Sequence, residues 1–600
     1  MGMTMIEKIL AHHSVYDVVR AGEIVDVNID LRVSRDLGGA SIIKQLNANN
    51  QQIADPNKTF FTFDAYSSEN EEAAFESQQV CRLFAKDNGV RIFDKHSGIG
   101  THLLIDQGFA TPGSVMVSSD SHANILGAIG ALGYSLKEKD LAQAFTKGKM
   151  WYRVPKSIKI NCKDALPKEL SAKDIALNLL SIFGTNKLLG YAVELGGPAI
   201  DMLSLDGRIS LASMANEIGA ATFLMAPNQE VIDYCLYKSN RNYAIHLPDE
   251  DAEYEEILNI NVSKFTRMVS RPSTNFDIVP VEKLKSTGID SAFIGTCTNG
   301  RIEDLRVVAG ILKSRKVAPG IVLKIVPATD EIWTLALQEG LIDIFKESGA
   351  IVSNAGCDGC SSGQSVNTLG QVTISSGNSN FQRKTGKGDI YISSPAIVAA
   401  SAIAGYITTP EAIPERPNAL FSFPDKKTNQ KEIEPSLEST KPKILEGKTW
   451  SIPFDNIDTD MIYHTRYTEI SDLSEYGNYA FSELKGYEHF AKEALPGDIV
   501  VVGHNFGLGN SSQHAVDCFK SLGIQAIIAK SFAVLYEKNA INAGLPIIVC
   551  SATDQLDIQT GDVISINLLS GEITNTRNNR MVVGEKFSGI QLETFQQENH

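Results

Sequence analysis

Short apolar runs alternate with helix-like stretches through the middle of the chain. Residues 292–294, 321–326 and 350–352 are apolar, and each run has the length of a buried strand. A helical spacing of apolar residues begins near Leu305, after the first run, and residues 331–347 show a helix-like pattern after the second. This alternation predicts a βαβαβ unit with parallel strands, whose loops meet at the carboxyl ends of those strands.

The same alternation occurs towards both ends of the chain. Residues 23–30 alternate between apolar and polar positions and predict a strand after an N-terminal helix, and residues 60–64 predict a strand that ends in an acid. Residues 499–549 repeat the βαβαβ rhythm. The segment 424–443 is charged and polar, so we expect it to be a linker. The pattern therefore predicts an α/β protein throughout.

Length and composition limit the classes of function. The chain has 600 residues, of which 43% are hydrophobic, and this is enough for about four domains. Its net charge of −16 is spread along the chain, which argues against nucleic-acid binding, because that usually needs a basic face. No apolar stretch of about eighteen residues predicts a membrane span, and the N-terminus lacks the apolar core of a signal peptide. The eight cysteines do not suggest a disulfide framework, so we expect a reducing, cytoplasmic environment.

Three cysteines follow predicted strands of the central unit. Cys297 lies in the turn after residues 292–294, and Cys357 and Cys360 follow the strand at 350–352. A structural zinc site needs four protein ligands, and a redox dithiol would use Cys357 and Cys360 alone. Three thiolates suit an iron–sulfur cluster that keeps one iron free to bind a substrate oxygen as a Lewis acid. Buried structural cysteines are the other interpretation.

Two of these segments carry a family resemblance. Residues 295–306 and 356–363 resemble the cluster motifs of the aconitase superfamily, most of all those of its isopropylmalate isomerase and homoaconitase branch. The similarity extends from Ile9 to about Pro546. It implies a [4Fe-4S] hydro-lyase, in which the fourth iron holds the hydroxyl and carboxylate of the substrate. The implied cluster ligands are Cys297, Cys357 and Cys360.

The resemblance also implies how the chain is divided. Residues 1–421 would form a large, cluster-binding unit of three α/β subdomains, and residues 447–600 would form a swivelling α/β domain like the family's small subunit. Residues 455–460 and 503–509 carry the small-subunit similarity. Residues 422–446 would be the linker, and no separate small subunit would be needed.

Further motifs of the family imply the residues of the active site. Residues 115–122 predict a strand running into Asp-Ser-His, followed by a small-residue helix over 123–132. An isolated Asp-x-His is often structural, but at the carboxyl end of a strand we interpret it as part of the active site. The implied catalytic residues are Asp64, His102, Asp120, His122, Glu217 and Ser511. The implied substrate-binding residues are Ser121, Asn378, Ser379, Lys384, Asn510 and Ser512.

Several of the implied site positions depart from the family's pattern. The base of the family is a serine, but its position holds Asn510 here, and Ser379 and Ser512 replace two carboxylate-binding arginines. Glu469 stands where another arginine is usual. Because a bidentate arginine–carboxylate pair is a strong contact, these losses predict a substrate other than citrate, homoaconitate or isopropylmalate.

Three more departures lie in the N-terminal part of the chain. Arg35 occupies a position that carries histidine in the family, and Ala65 replaces a second histidine, which usually follows the aspartate matched by Asp64. By direct count, a third histidine position falls on Thr101, so His102 is either shifted by one residue or a substitute.

Three functions are compatible with this pattern. The first is a cluster-dependent hydro-lyase acting on a less charged hydroxy acid, where Ser511, His102 or His122 takes the proton because Asn510 cannot act as a normal base. The second is an ordinary isopropylmalate dehydratase or homoaconitase. The third is a non-catalytic iron–sulfur sensor. The expected partner is a small hydroxy acid, with no nucleic acid and no membrane.

Overall fold

A computed structural model shows the chain as two compact units, Met1–Asp425 and Lys426–His600. The residues it describes are 2–64, 71–272, 277–285, 287–357, 371–378, 388–415, 442–468, 470, 472–509, 513–588, 591–592 and 594–595. Within the described residues, the first unit contains three large sheets and the second unit contains one. The first unit also has an antiparallel pair of strands, Ile24–Asn28 and Lys149–Arg153.

The first sheet consists of five parallel strands. In sheet order they are Arg91–Phe93, Thr59–Thr62, Leu31–Arg35, Val115–Ser118 and Leu132–Ser135. Its associated helices are Met5–His12, Asp36–Ala48, Pro56–Lys58 (3-10), Glu71–Asn88, Gly100–Asp106, Ala123–Ile129 (3-10) and Glu138–Lys147. Every residue of the second and fourth strands in this order is buried, as expected for a parallel sheet covered by helices on both faces.

The small-residue segment after the fourth strand corrects one prediction. The helix expected over 123–132 is a 3-10 helix that ends at Ile129, and Leu132 already belongs to the fifth strand. Gly130 terminates the helix with a left-handed φ of 68°, a conformation that glycine adopts without steric cost. Apolar composition alone did not reveal this boundary, because both elements are fully buried there.

The second sheet has four parallel strands. In sheet order they are Thr222–Met225, Ala192–Gly196, Ser157–Lys163 and Glu256–Asn261. Its helices are Ala172–Phe183, Pro198–Asp201, Leu205–Ser213, Ala215–Ile218, Gln229–Ser239 and Val262–Lys264 (3-10). One continuous hydrophobic core joins this sheet to the first.

The third sheet contains the βαβαβ unit predicted from the sequence. In sheet order its strands are Asp277–Pro280, Met268–Arg271, Gly388–Ile392, Gln371–Ser375, Ser291–Gly295, Val322–Val326 and Ile351–Val352. The last five are parallel to one another, and the second strand pairs antiparallel with the strands on both of its sides. Its helices are Val281–Leu284 (3-10), Thr296–Asn299, Ile302–Leu312, Asp330–Gln338, Leu341–Ser348, Pro395–Ala404 and Pro410–Ala412 (3-10).

The stretch 331–347, read as a single helix, is divided in two. Gly340 interrupts it with a left-handed φ of 74° between the helices Asp330–Gln338 and Leu341–Ser348. The predicted parallel order of the three strands is confirmed, since Ser291–Gly295, Val322–Val326 and Ile351–Val352 are consecutive neighbours.

The second unit is built on one mixed sheet. In sheet order its strands are Ile547–Val549, Ala526–Ala529, Ile499–Val502, Ile444–Ile452, Val563–Asn567, Glu572–Asn575 and Arg580–Val583. Its helices are Thr459–Ile462, Thr465–Tyr467 (3-10), Leu473–Tyr479 (3-10), Phe490–Glu493, His514–Ser521, Val534–Asn542 and Thr553–Leu556 (3-10). The first four strands are parallel, and the rest form an antiparallel extension.

These elements confirm the α/β prediction, with three large sheets in the first unit and a fourth in the second. Residues 444–446, expected in the linker, belong to the strand Ile444–Ile452, while residues 416–441 lie outside the described part of the chain. Of the helices the structure describes, none combines the length and apolar character needed to cross a membrane.

Candidate active site

Three charged side chains meet at the carboxyl edge of the first sheet. Arg35 ends the central strand, and Asp64 and Asp120 follow the strands on either side of it. The Arg35 Nε donates a hydrogen bond to Asp64 Oδ1 at 2.7 Å, and its Nη1 lies 3.8 Å from Asp120 Oδ1. The remaining nitrogen, Nη2, is buried and has no hydrogen-bond partner among the described residues. The sequence showed Arg35 only as a departure from the family's pattern and did not indicate that it lies between these two acids.

The two acids have opposite tendencies to ionise. Burial raises the pKa of Asp64 to about 7, and the neighbouring Asp120 adds to this effect while Arg35 opposes it. Burial alone would also raise the pKa of Asp120, but Arg35 and hydrogen bonding from His122 hold it well below its usual range. The His122 backbone N–H donates to Asp120 Oδ1 at 3.0 Å. Pairs of carboxyl groups whose pKa values are separated by their surroundings are typical of active sites.

His122 connects these acids to the first cysteine loop. Burial would lower the pKa of its ring, but the Cys297 thiolate and the Asp120 carboxylate hold that pKa well above its usual range. Ser121 Oγ lies 3.3 Å from His122 Nδ1, and the Ser121 carbonyl accepts a hydrogen bond from Asn216 at 2.6 Å. The Asp-Ser-His segment predicted from the sequence is therefore brought next to Cys297.

His102 occupies a different position from His122. Its ring is fully buried, and Nε2 donates a hydrogen bond to the Cys297 carbonyl oxygen at 3.1 Å. Burial and the positive charge of Arg301 lower the pKa of His102 to about 4, so the ring is neutral. Thr101, not His102, points its hydroxyl towards Asp120 Oδ2, at 3.5 Å. His102 is therefore placed to hold the Cys297 loop.

Two of the three predicted cluster cysteines are described, and both follow strands of the third sheet. Cys297 lies in the one-turn helix after Ser291–Gly295, and Cys357 follows Ile351–Val352. Gly295 is required at its position, because it has a φ of 143° and a Cβ there would lie 2.1 Å from the Val326 carbonyl oxygen. The backbone N–H of Cys357 donates to the Asp64 carbonyl oxygen at 3.1 Å. This bond ties the second cysteine loop to the edge of the first sheet.

The surroundings of both thiols fit a thiolate-bound group. The Cys297 side chain lies beside the ring of His122, whose pKa is raised, and the Cys357 side chain lies near the guanidinium of Arg35. Nearby positive charge favours thiolates, the form that binds iron. The residues present are therefore chemically suited to an iron–sulfur cluster.

Lys173 belongs to this site and was missed from the sequence. Its side chain is fully buried, and Nζ donates to the Gly377 carbonyl oxygen at 2.8 Å and to Asn378 Oδ1 at 3.2 Å. Burial lowers the pKa of Lys173 to about 8, while Glu217 and Cys297 favour its charged form. Asn378 and Glu217, both predicted as site residues, are thus grouped around a lysine that gave no signal beyond its place in an apolar helical stretch.

Arg301, in the first cysteine motif, holds three elements together. Its Nη1 donates to both carboxylate oxygens of Asp106, at 2.9 and 2.8 Å, and its Nε donates to Asp206 at 2.7 Å. Asp106 also accepts hydrogen bonds from Tyr234 and Thr329. Since Asp106 ends the helix that carries His102, this network fixes the position of His102 relative to the Cys297 loop.

The substitution Asp106→Asn should lower the free energy of unfolding by about 3 kcal/mol, because it removes one partner of a buried ion pair. Burial would raise the pKa of Asp106, but Arg301 lowers it, so the pair stabilises the wild type fully above the ordinary aspartate pKa of 3.8 and less as the pH falls below it. Chemical unfolding across this pH range measures both effects.

Glu339→Gln is the matched control, because it breaks the more exposed pair with Arg306 and should cost less than about 1 kcal/mol. Equal losses in the two variants would contradict the structural role assigned to Asp106.

The remaining predicted site residues lie outside the described part of the chain. They are Cys360, Ser379, Lys384, Asn510, Ser511 and Ser512. Their roles stay predictions.

Comparisons with known proteins agree with this arrangement of motifs. The family model described as "Aconitase family (aconitate hydratase)" matches residues 7–288 and 274–405, and the model of the aconitase C-terminal domain matches residues 456–552. Both models thus match parts of one polypeptide.

Relatives match more than two thirds of this chain and nearly their own whole length. The 3-isopropylmalate dehydratase large subunit of Sulfurihydrogenibium sp. is 35% identical over 419 residues, which is 69% of this chain and 97% of the relative. The probable methanogen homoaconitase large subunit of Methanothermobacter thermautotrophicus is 34% identical over 418 residues, which is 68% of this chain and 98% of the relative. Among solved structures, a 3-isopropylmalate dehydratase of Methanocaldococcus jannaschii is 35% identical, with a TM-score of 0.24, over 25% of this chain and 87% of that one.

Proposed function

The chain belongs to the aconitase family of hydro-lyases, and we propose that it catalyses a cluster-dependent dehydration or isomerisation of a hydroxy acid. The observation that carries this proposal is the meeting of two sheet edges: the Cys297 and Cys357 loops lie against Asp64, Asp120 and His122. This meeting supports the proposal that cysteines hold a cluster beside the groups that would handle the substrate.

We propose that Cys297, Cys357 and Cys360 hold a [4Fe-4S] cluster. When bound, such a cluster supplies an iron that acts as a Lewis acid towards the hydroxyl that leaves. Members of this family are iron–sulfur enzymes, and the two described thiols lie beside His122 and Arg35, whose charges stabilise thiolates.

The chain's own residues would then orient the substrate and move a proton. Asp120 fixes His122, and Lys173 fixes Asn378 beside Glu217. Because His102 uses its Nε2 to hold the Cys297 loop and the raised pKa of His122 keeps that ring protonated, we propose that Ser511 takes the carbon-bound proton. The proposed substrate-contacting residues are Ser121, Asn378, Ser379, Lys384, Asn510 and Ser512.

Arg35 supports an altered substrate preference. The family resemblance implies that Ser379, Ser512 and Glu469 stand at three positions that usually carry arginine, which would remove the usual carboxylate contacts. Arg35 supplies a buried guanidinium at the carboxyl edge, with Nη2 available for a ligand oxygen. We propose that it anchors one carboxylate of a substrate that carries fewer charges than citrate or isopropylmalate.

The second candidate is the ordinary 3-isopropylmalate dehydratase or homoaconitase reaction. It is favoured because the match to this chain covers nearly the whole length of large subunits that carry those names. The two candidates differ only in the substrate, so a substrate panel separates them.

The change in ultraviolet absorbance when an enoate forms or is hydrated will test the proposal. The anaerobically reconstituted protein would be mixed with hydroxy acids and their unsaturated counterparts, from citrate and isopropylmalate to monocarboxylates and amides. We expect turnover of a less charged member and little or none of the tricarboxylates. Preferred turnover of isopropylmalate or homoaconitate would show that the altered-substrate proposal is wrong, and silence across the panel with an intact cluster would favour the sensor.

We further propose that one polypeptide supplies both halves of the enzyme, so that no separate small subunit is needed. The matches of two family models to residues 7–405 and 456–552 support this proposal. Because a thiolate-held cluster needs a reducing environment, we propose a cytoplasmic location.

A further inference from the structure

A cavity lies at the amino edge of the first sheet. Its volume is about 260 Å³, and its lining includes residues that precede three parallel strands: Asp30, Lys58 and Ser114. Arg35, Asp64 and Asp120 lie at or just beyond the carboxyl ends of the same strands, at the opposite edge of the sheet. With about 3.3 Å per residue, the two sites are separated by about 15–20 Å along the strands. The cavity is therefore distinct from the candidate active site.

The cavity has an excess of positive charge in an otherwise acidic chain. Its lining contains Lys58, Arg241 and three histidines, and Asp30 is its single acid among the described residues. Burial opposes protonation of His13, but its hydrogen bond to Asp30 raises its pKa, and both of its ring nitrogens face acceptors, Asp30 and the Ile9 carbonyl oxygen. Lys58 and Arg241 against Asp30 leave an excess of one positive charge, and protonation of His13 adds a second.

Asp30 does not form a hydrogen bond with either of the two cationic side chains, Lys58 and Arg241. Its Oδ2 accepts hydrogen bonds from His13 Nε2 at 2.7 Å and from the Val115 backbone N–H at 3.0 Å. Lys58 Nζ is 3.9 Å from the other oxygen, beyond hydrogen-bond distance, and its side chain remains half exposed. Arg241 uses one nitrogen to donate to the Phe109 carbonyl oxygen. Lys58 and the rest of the Arg241 guanidinium are thus positioned to meet an anion.

His246 also lines this cavity. His246 Nε2 is buried and has no hydrogen-bond partner among the described residues. Burial and the neighbouring His12 and His13 lower the pKa of His246 to about 4, so the ring is neutral and can donate from Nε2. Gly113 makes room for it: a Cβ there would lie 2.9 Å from the ring and 2.5 Å from the Ala244 carbonyl oxygen. An unpartnered buried nitrogen is unfavourable unless a ligand or water satisfies it.

We propose that this cavity is a binding site for a small dianion, a phosphate or a dicarboxylate. Lys58 and Arg241 match its two charges, and His246 donates a hydrogen bond to one of its oxygens. The site would be occupied independently of the reaction at the opposite edge of the sheet.

Isothermal titration of the full chain with inorganic phosphate and with malonate, at constant ionic strength, tests the proposal. We expect one anion to bind per chain. A comparison of the phosphate titration with the malonate titration shows whether the site prefers phosphoryl or carboxylate groups. Lys58→Gln and Arg241→Gln should each raise the Kd at least about fivefold, as expected for loss of a partly exposed charge contact. His246→Gln should weaken binding with no change of charge.

Lys187→Gln is the matched control, since it removes one positive charge from an exposed ion pair with Glu256. It should leave the Kd unchanged, and Arg35→Gln should also leave it unchanged. The proposal is overturned if neither anion binds, if Lys58→Gln and Arg241→Gln bind as the wild type does, or if Arg35→Gln alone abolishes binding. The last result would place the anion in the candidate active site instead.

Discussion

Replacement of Cys357 by alanine should abolish turnover and remove the visible iron–sulfur absorption of the anaerobically reconstituted protein. The loop of Cys357 is tied to the Asp64 carbonyl oxygen, and its side chain lies near the positive charge of Arg35. A cluster that loses one of three thiolate ligands loses its attachment to the chain. We expect turnover to fall at least about 10³-fold, because a Lewis-acidic iron contributes several kcal/mol to the barrier for hydroxide departure.

Iron content, visible absorption and turnover would be measured on the same preparation. Alanine is preferred to serine, since a serine hydroxyl would still offer an oxygen to iron. Cys162→Ala is the matched control: this buried thiol lies on the second sheet, and burial raises its pKa to about 12, so it is not poised as a ligand. Unchanged absorption in Cys357→Ala would refute the cluster assignment, and loss of absorption in Cys162→Ala would show that the effect is not specific.

The parts of this site that could be predicted from the sequence are those that depend on local pattern. Short apolar runs followed by glycine-rich loops placed Cys297 and Cys357 at the ends of parallel strands, and both are found there. The same argument placed Asp120 and His122 after a buried strand. Strand ends are local features, so one chain segment is enough to recognise them.

The parts that could not be predicted depend on contacts between distant segments. Lys173 lies more than two hundred residues from Asn378, and Arg301 lies almost as far from Asp106. Nothing within the helix of Lys173 indicates that its ammonium group is buried, because a lysine on a helix is usually solvated. The end of the predicted helix at Ile129 was missed for a related reason, since periodicity cannot separate elements that are buried on all sides.

The substitution Arg35→Gln should lower kcat/KM for the preferred hydroxy acid by about 10²-fold or more, through loss of a charge-assisted contact to a substrate carboxylate. Arg35 is the buried cation between Asp64 and Asp120, and its Nη2 has no hydrogen-bond partner among the described residues. We expect most of the loss in KM, since the carboxylate is bound before and during the reaction.

Arg35 also neutralises two acids, so a purely structural role must be separated from a binding role. Removing it leaves Asp64 and Asp120 buried without their common counter-charge, and we expect a loss of about 3 kcal/mol in the free energy of unfolding. Arg35→Lys keeps the positive charge but not the guanidinium fork, so it should restore much of the stability and little of the substrate affinity. Arg82→Gln, which breaks an exposed pair with Asp94 in the same subdomain, should change neither quantity beyond about 1 kcal/mol.

A comparison of an acid with its amide decides between the two roles. If Arg35 binds a carboxylate, the wild type should prefer the acid, and Arg35→Gln should lower kcat/KM for the acid far more than for the amide. If Arg35 only balances Asp64 and Asp120, both compounds should lose activity by the same factor and Arg35→Lys should restore both. We expect the first outcome, because a negatively charged substrate needs a cation close to the carboxyl edge of this sheet, and the resemblance implies that serines replace the usual arginines at Ser379 and Ser512.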